Sequence, residues 1–299
     1  MLKQIISGML IAVVLQGTAF AGEFLGPKKK VPAGDNLKAI YHSITKNETR
    51  NPDDYDSPEA FANFREIETT GLRAKTVYRS SNPIDSKTNK VRHSYADKLA
   101  REAGIQAEID LADTDSAVEG FFRSSGARKK YCYGLYRDGK LFNVRLRGSG
   151  LYSADWPNIA EAFRFMLYND GPYLIHCRIG RDRAGFFSML TAALAGATVD
   201  DLRRDYMQTY CNYNHLSPKS YEYEVIRMLK ADRILYYIAH PEYARDKRPM
   251  PKTISVRDIV PEEAAVNFFK TALGFSDEEI LALQEKLKGQ ETASDAEAF

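Results

Sequence analysis

Between residues 75 and 197, short apolar runs alternate with stretches of helical periodicity. A strand-like run is short and rich in apolar residues, whereas a helix repeats its apolar residues every three or four positions. Four runs predict strands: Thr76–Tyr78, Ile105–Leu111, Lys140–Leu146 and Tyr173–Ile175. Helices are predicted over 94–103, from Pro157 to a stop at Asn169, and over 184–195.

After Gly196 the pattern is helical only. Thr198 caps one predicted helix, Ser217-Pro218 opens a longer one, and Ser276 with Glu279 forms a capping box for a last one. Alternating strands and helices followed by helices alone predict an α/β fold: a central, mostly parallel sheet flanked by helices, with a helical C-terminal portion. We expect an irregular segment over 22–74, a catalytic domain over 75–240, a helical extension over 241–290 and a disordered tail over 291–299.

The N-terminus has the pattern of a secretory signal peptide. Lys3 precedes the apolar run Ile5–Leu15, and Ala19-Phe20-Ala21 forms a small-x-small cleavage site before Gly22. A membrane anchor is the alternative, but the run falls short of the roughly 20 residues that a spanning helix needs. We therefore expect residues 1–21 to be removed and the chain to be periplasmic or secreted, with no stable membrane span.

Charge and cysteine content narrow the choice of partners. The chain has 42 basic and 40 acidic side chains, a balance that argues against nucleic acid binding through bulk charge. It has three cysteines, so that at least one thiol stays unpaired in an oxidising compartment. A disulfide between Cys132 and Cys211 is one possible pairing, and it would leave Cys177 as the free thiol.

The segment from His176 to Gly185 places a cysteine, five residues and then an arginine between a predicted strand and a predicted helix. Backbone N–H groups of such a loop can hold an anion at the helix N-terminus, and they also favour the thiolate. Cys177 is then the nucleophile, and Arg183 presents a planar fork to the phosphoryl oxygens. His176 supports the loop through hydrogen bonds.

Binding of the phosphate itself is assigned to the remaining loop residues, Arg178, Ile179, Gly180, Arg181 and Ala184, with Gly180 allowing the loop to curl.

A buried structural cysteine at position 177 is the alternative interpretation of this loop. It explains Cys177 but leaves three arginines crowded in one loop, where their charges repel unless an anion is bound.

This ten-residue segment resembles the signature of the protein tyrosine phosphatase superfamily, in the branch where glycine is followed by a basic residue, aspartate and arginine. The segments Val77–Ser81, Ile109–Leu111 and Leu194–Ala197, together with Asp205-Tyr206, are similar to further motifs of that branch. The resemblance implies the cysteine phosphatase fold and a phosphocysteine intermediate, with no metal and no organic cofactor. Ala184 departs from it, since many relatives carry a hydroxyl there that assists hydrolysis of the intermediate.

The general acid is left open by the sequence. A leaving oxygen needs a protonated carboxyl within hydrogen-bond reach, and the stretch Leu141–Ser149, where relatives often supply an aspartate, has none. Asp182 ranks first and Asp155 second, followed by Asp113 and Asp115. Two of these have structural alternatives: Asp155 as a helix cap, and Asp182 as the ion-pair partner of Arg79 or Arg181.

The substrate is also open. Basic residues in the loop and in two upstream clusters favour a polyphosphorylated small molecule or a lipid head group, although the upstream clusters also fit a solvated surface. These clusters are Arg128-Lys129-Lys130 and Arg145 with Arg147. Phosphotyrosine in a protein needs an aromatic slot, for which the sequence offers Tyr206, Tyr210, Tyr213 and Tyr221, residues that equally fit helix packing. A phosphate-binding module without catalysis is a further alternative.

Overall fold

A computed structural model of the chain describes residues 35–45, 49–84, 91–124, 126–147, 152–251 and 253–288. The predicted signal peptide and the predicted disordered tail lie outside the described residues. The described part contains a five-stranded sheet in the order β1-β2-β5-β3-β4. Its strands are β1 (Arg65–Glu66), β2 (Val77–Ser81), β3 (Ala107–Asp110), β4 (Leu141–Asn143) and β5 (Tyr173–Cys177).

Strand β1 is antiparallel to β2, and the other neighbouring pairs are parallel. The predicted α/β class with a mostly parallel sheet is therefore confirmed. The helices are α1 (Asp35–Thr45), α2 (Pro58–Ala62), α3 (Arg92–Glu102), α4 (Asp115–Phe122), α5 (Tyr131–Arg137), α6 (Trp156–Tyr168), α7 (Asp182–Leu194), α8 (Val199–Asn214), α9 (Tyr221–Arg227), α10 (Arg233–Ala239), α11 (Glu242–Arg245), α12 (Pro261–Phe268) and α13 (Asp277–Lys288).

The two faces of the sheet pack against different sets of helices. One face packs on α6 and α7 through residues such as Ile109 and Ile175, and the other packs on α3 and α5 through Tyr78 and Leu174. Helix α7 is buried from Ala184 to its end, because the C-terminal helices cover the side that faces away from the sheet. This arrangement fixes α7 in the centre of the molecule and confirms the helical C-terminal portion.

The helix caps predicted at Thr198 and Ser276 are both present, and each is a capping box with two hydrogen bonds. At α8, Thr198 accepts from the backbone N–H of Asp201, whose carboxylate accepts in return from Thr198. At α13, Ser276 and Glu279 exchange the same pair of hydrogen bonds. Both boxes satisfy backbone donors that a helix N-terminus otherwise leaves unpaired.

The segment 22–74 was expected to be irregular, and this expectation was wrong for its described residues. It contains α1, α2 and β1. Helix α2 is short but well capped: Ser57 accepts from the N–H of Ala60, and Pro58 occupies the first turn. The many Pro, Asp and Asn residues in this segment mark helix ends rather than a loop.

One further difference concerns the middle of the chain. The strand predicted over 140–146 is limited to Leu141–Asn143. Before it, Arg128 and Lys129 lie in a short 3-10 helix, Ala127–Lys129, between α4 and α5. Among the described residues, no helix is both long and apolar enough to cross a membrane.

Candidate active site

The loop between β5 and α7 is held by a buried arginine from β2. Arg79 is fully buried, and its Nη2 donates to the carbonyl oxygens of Gly180 at 2.7 Å and of Arg181 at 3.0 Å. Its Nη1 lies 2.6 Å from Oδ2 of Asp205, which also pairs with Arg65 at 2.9 Å. Burial alone would raise the pKa of Asp205, but the charges of Arg65 and Arg79 hold it below its usual value.

A second set of donors reaches the same loop from the end of α2 and from the end of β2. The amide Nδ2 of Asn63 donates to the carbonyls of Gly180 at 3.1 Å and Ile179 at 3.4 Å. The backbone N–H of Asn82 donates to the carbonyl of Arg178 at 3.4 Å. The carbonyls of residues 178–181 therefore all point toward the surrounding scaffold.

This orientation determines where the loop can bind an anion. In a planar trans peptide the C=O and the following N–H point in opposite directions. The N–H groups of residues 179–182 consequently point away from the scaffold. Successive N–H groups that converge in this way form an anion-binding concavity, to which the N-terminus of α7 adds its positive end.

Gly180 is required by this packing. Its φ is +70°, and a Cβ added there would lie 2.3 Å from the carbonyl oxygen of Ser80. A side chain would therefore collide with the backbone of β2. The glycine allows the loop to curl, as the sequence indicated, and also to approach the neighbouring strand closely.

Cys177 and Arg183 lie at the two ends of the loop. Cys177 ends the central strand of the sheet and is 2% exposed, whereas Arg183 lies in the first turn of α7. The Nη1 of Arg183 donates to the carbonyl of Leu111 at 2.9 Å, just beyond the end of β3. This bond ties the predicted phosphate clamp to the edge of the sheet where the parallel strands end.

His176 faces away from Cys177 because adjacent residues of a strand point to opposite faces. Its Nε2 lies 2.8 Å from Oε1 of Glu108, and its Nδ1 lies 3.6 Å from Oδ1 of Asp110, all three side chains being fully buried. Burial lowers the pKa of His176, but the carboxylates of Asp110 and Glu108 outweigh it and raise the pKa overall. His176 thus joins β5 to β3, which agrees with a role in supporting the loop.

Asp110 lies at the end of β3 in the same cluster. Burial raises its pKa to about 7, against the opposing effect of His176. Its Oδ1 accepts from the backbone N–H of Ala112 at 2.7 Å and so shapes the turn that carries Leu111. The buried cluster thereby supports the turn to which Arg183 is bonded.

Of the candidate acids, Asp182 lies within the loop. Its Oδ2 pairs with Nε of Arg181 at 3.1 Å, and its Oδ1 accepts from the hydroxyl of Tyr206 at 3.5 Å. The ion pair with Arg181 was one of the two alternatives for Asp182. The other was wrong, because Arg79 is paired with Asp205.

The other candidate acids have separate hydrogen bonds. Asp155 is buried, and it accepts from the backbone N–H of Arg147 at 2.7 Å instead of capping α6 with its side chain. Asp155 therefore occupies the N-cap position of α6, as the sequence indicated, but its side chain makes no cap hydrogen bond there. Asp113 accepts from Nδ2 of Asn82 at 2.6 Å beside the loop, whereas Asp115 is bound to Asn143.

The tyrosines offered for an aromatic slot are packed in the interior. Tyr206, Tyr210 and Tyr213 are at most 1% exposed, so they do not form the walls of an open slot, and Tyr221 is half-buried. The guanidinium of Arg181 lies 5.5 Å from the centre of the Tyr210 ring. Tyr206 and Tyr210 therefore pack beside the loop, through Asp182 and Arg181.

The basic residues differ in exposure. Arg178 is exposed and Arg181 half-buried, and most side chains of the upstream clusters are exposed.

Cys132 and Cys211 are both free thiols, and burial raises the pKa of each. The disulfide considered between them is therefore not formed.

The loop lies in a part of the chain that is similar in sequence to a known family. A model of the tyrosine phosphatase family matches residues 150–289, which include β5, the loop and the helices after it. Residues 150–289 are therefore similar to the tyrosine phosphatase family, and this match supports a phosphoric monoester hydrolase. No curated protein matches it in sequence.

Among solved structures, the chain is similar to the core catalytic domain of the PP-IP phosphatase SIW14 from S. cerevisiae, in complex with citrate. The two are 18% identical, and the match covers 62% of this chain and 93% of that one with a TM-score of 0.33. A likeness this distant adds nothing to the assignment.

Several residues that hold the phosphatase loop were not singled out from the sequence. Asn63, Arg65 and Glu108 lie far from the loop in the chain, and Asp205 was noted without its partner. One signal was present: Glu108 is a charged residue inside the predicted strand Ile105–Leu111, and Arg79 directly follows the predicted strand Thr76–Tyr78. A buried charge requires a partner, so each of these residues predicted another charged residue beside it.

Proposed function

We propose that this phosphatase hydrolyses phosphate monoesters through a phosphocysteine intermediate on Cys177. The proposal rests on the orientation of the carbonyls of residues 178–181, which point toward the surrounding scaffold. The N–H groups of residues 179–182 therefore point to the opposite side of the loop, where the substrate binds. A cysteine begins this loop and an arginine ends it. A loop of this kind holds a phosphoryl group against the thiolate.

In the first step the Cys177 thiolate forms a bond to phosphorus as the bond to the leaving oxygen breaks. The leaving oxygen takes a proton from a carboxyl group, which we assign to Asp182 because it lies within the loop. In the second step water attacks phosphorus as the bond between sulfur and phosphorus breaks, and the Asp182 carboxylate takes a proton from the water; inorganic phosphate is released, and the thiolate and the protonated carboxyl are restored. Arg183 and the loop N–H groups bind the equatorial oxygens in both steps.

Asp113 is the alternative acid. Its Oδ2 is bound to the side chain of Asn82, whose backbone N–H contacts the carbonyl of Arg178. This carboxyl therefore lies one residue away from the rim of the loop. Asp155 is less suited, because its carboxylate is buried against the backbone of Arg147.

For the substrate we favour a polyphosphorylated small molecule or lipid head group, such as an inositol phosphate or a phosphoinositide. Arg178 is exposed directly after the nucleophile and can bind a second phosphate. Because the packed tyrosines do not form an open aromatic slot, a phosphotyrosine protein is the second candidate, supported by the family match. We further propose export to the periplasm or beyond, on the basis of the N-terminal sequence pattern.

The test is a panel of substrates with the mature chain and its Cys177→Ser variant. A generic aryl phosphate measures the reaction itself, and inositol hexakisphosphate, a phosphoinositide and a phosphotyrosyl peptide separate the substrate classes. We expect release of phosphate from the aryl phosphate and the inositol compounds, and no release by Cys177→Ser. A wild-type chain that binds phosphate but hydrolyses none of the four is a binding module.

A further inference from the structure

We propose that Asn63 is a positioning residue for the phosphate loop, and that it sets the direction of two of the N–H groups that bind the substrate. The inference rests on the proposed function of the loop. Asn63 lies in the segment that precedes the region matched by the family model. The conclusion is that this N-terminal segment completes the active site.

The orientation of the Asn63 amide follows from its partners. Its Oδ1 accepts from Nη1 of Arg65 at 2.7 Å and from Nδ2 of Asn212 at 3.1 Å. Its Nδ2 faces the carbonyls of Gly180 and Ile179, at 3.1 and 3.4 Å. A guanidinium can only donate and a carbonyl can only accept, so the amide has one arrangement that satisfies both sides.

The backbone at this position also favours asparagine. Asn63 ends α2 with φ = +50° and is fully buried. Asparagine is one of the few residues with a side chain that adopts this left-handed conformation readily. The site therefore combines an uncommon backbone conformation with a side chain that has both a donor and an acceptor.

The effect on the substrate passes through two peptide planes. The carbonyl of Ile179 belongs to the same plane as the N–H of Gly180, and the carbonyl of Gly180 shares its plane with the N–H of Arg181. By holding these two carbonyls, Asn63 directs the two N–H groups to the opposite side. Arg79 also holds the Gly180 carbonyl, whereas no other described side chain is bonded to that of Ile179.

Two variants of Asn63 test this role. Asn63→Gly keeps the left-handed backbone and removes the amide, and Asn63→Asp keeps the shape but turns a carboxylate oxygen toward the two carbonyls. Asn51→Ala is the control, since Asn51 is an exposed asparagine that accepts from the N–H of Asp53 at the surface. For each folded variant we measure the inhibition constant of orthovanadate, the value of kcat/KM and the melting temperature.

We expect the inhibition constant for orthovanadate to rise about tenfold in Asn63→Gly and about 100-fold in Asn63→Asp, because one or more loop hydrogen bonds are lost or reversed. The value of kcat/KM should fall as well, because the misaligned loop N–H groups bind the equatorial oxygens of the transition state less well. Asn51→Ala should leave both quantities unchanged.

A purely structural role predicts a lower melting temperature with an inhibition constant within about threefold of the wild type, and this result would overturn the inference. If neither Asn63 variant folds, the same three quantities are measured for Thr209→Val. The hydroxyl of Thr209 accepts from Nδ2 of Asn63 at 3.1 Å, so its removal disturbs the orientation of the amide. A wild-type chain without activity would instead contradict the proposed function. The two failures are thus distinguishable.

Discussion

Replacing Gly180 by alanine should remove most of the phosphatase activity, because the added methyl group cannot be accommodated beside β2. The Cβ would lie 2.3 Å from the carbonyl oxygen and 2.5 Å from the carbonyl carbon of Ser80. Ordinary contact begins at 3.4 Å, so the loop has to move by about 1 Å. A displacement of about 1 Å in an active site can lower the rate on the order of 100-fold.

Gly104 provides a matched control for the backbone conformation. Its φ is +66°, close to the +70° of Gly180, but a Cβ added there meets nothing within 4 Å. Alanine in the left-handed conformation costs about 1–2 kcal/mol. Gly104→Ala should therefore lower the melting temperature by a few degrees, roughly 2–4 °C for each kcal/mol in a domain of this size, and leave catalysis intact.

The assay combines steady-state hydrolysis of an aryl phosphate with thermal unfolding of both variants. We expect kcat/KM to fall about 100-fold in Gly180→Ala and to stay at the wild-type value in Gly104→Ala. A Gly180→Ala enzyme with near wild-type kcat/KM would refute the close packing of the loop on β2. Equal losses in the two variants would show that the conformation alone, and not the contact with Ser80, is responsible.

Two further predictions concern the carboxyl groups. Asp182→Asn should lower turnover of esters with poor leaving groups by about 100-fold and that of good ones far less, as measured by a series of aryl phosphates; if Asp113→Asn has this effect instead, the acid is Asp113. Burial raises the pKa of Asp110 to about 7 in the folded chain, whereas the same carboxyl ionises near pH 4 in the unfolded chain. Between these pH values the folded chain holds a proton that the unfolded chain has lost. The free energy of unfolding should therefore fall as the pH rises from about 4 to 7. Urea denaturation across this range should show a flatter profile for Asp110→Asn, and an unchanged slope would contradict the assignment.

Much of the fold and the chemical centre could be predicted because their signals are local. The strand before Cys177, the glycine that turns the loop and the helix after it occupy one continuous stretch. The capping boxes at Thr198 and Ser276 are likewise pairs of residues three positions apart. Such features depend on neighbouring residues, which a sequence displays directly.

The scaffold of the loop could not be predicted because its contacts join distant parts of the chain. Asn63 and Gly180 are 117 residues apart, and Arg79 and Asp205 are 126 apart. Each residue alone fits several roles: Asn63 resembles a turn residue, and Arg79 has several carboxylates as potential partners. The choice among partners follows from the packing of β2, α2 and α8 around the loop, which emerges only in three dimensions.

The central claim is the covalent intermediate on Cys177, and trapping it is the most direct test. The enzyme is mixed with an aryl phosphate, quenched in acid within the first turnovers and digested for mass spectrometry. We expect a peptide containing Cys177 that is heavier by one phosphoryl group, and we expect this species to be absent from Cys177→Ser. A phosphoryl group found on another residue, or hydrolysis that continues in Cys177→Ser, would contradict the account.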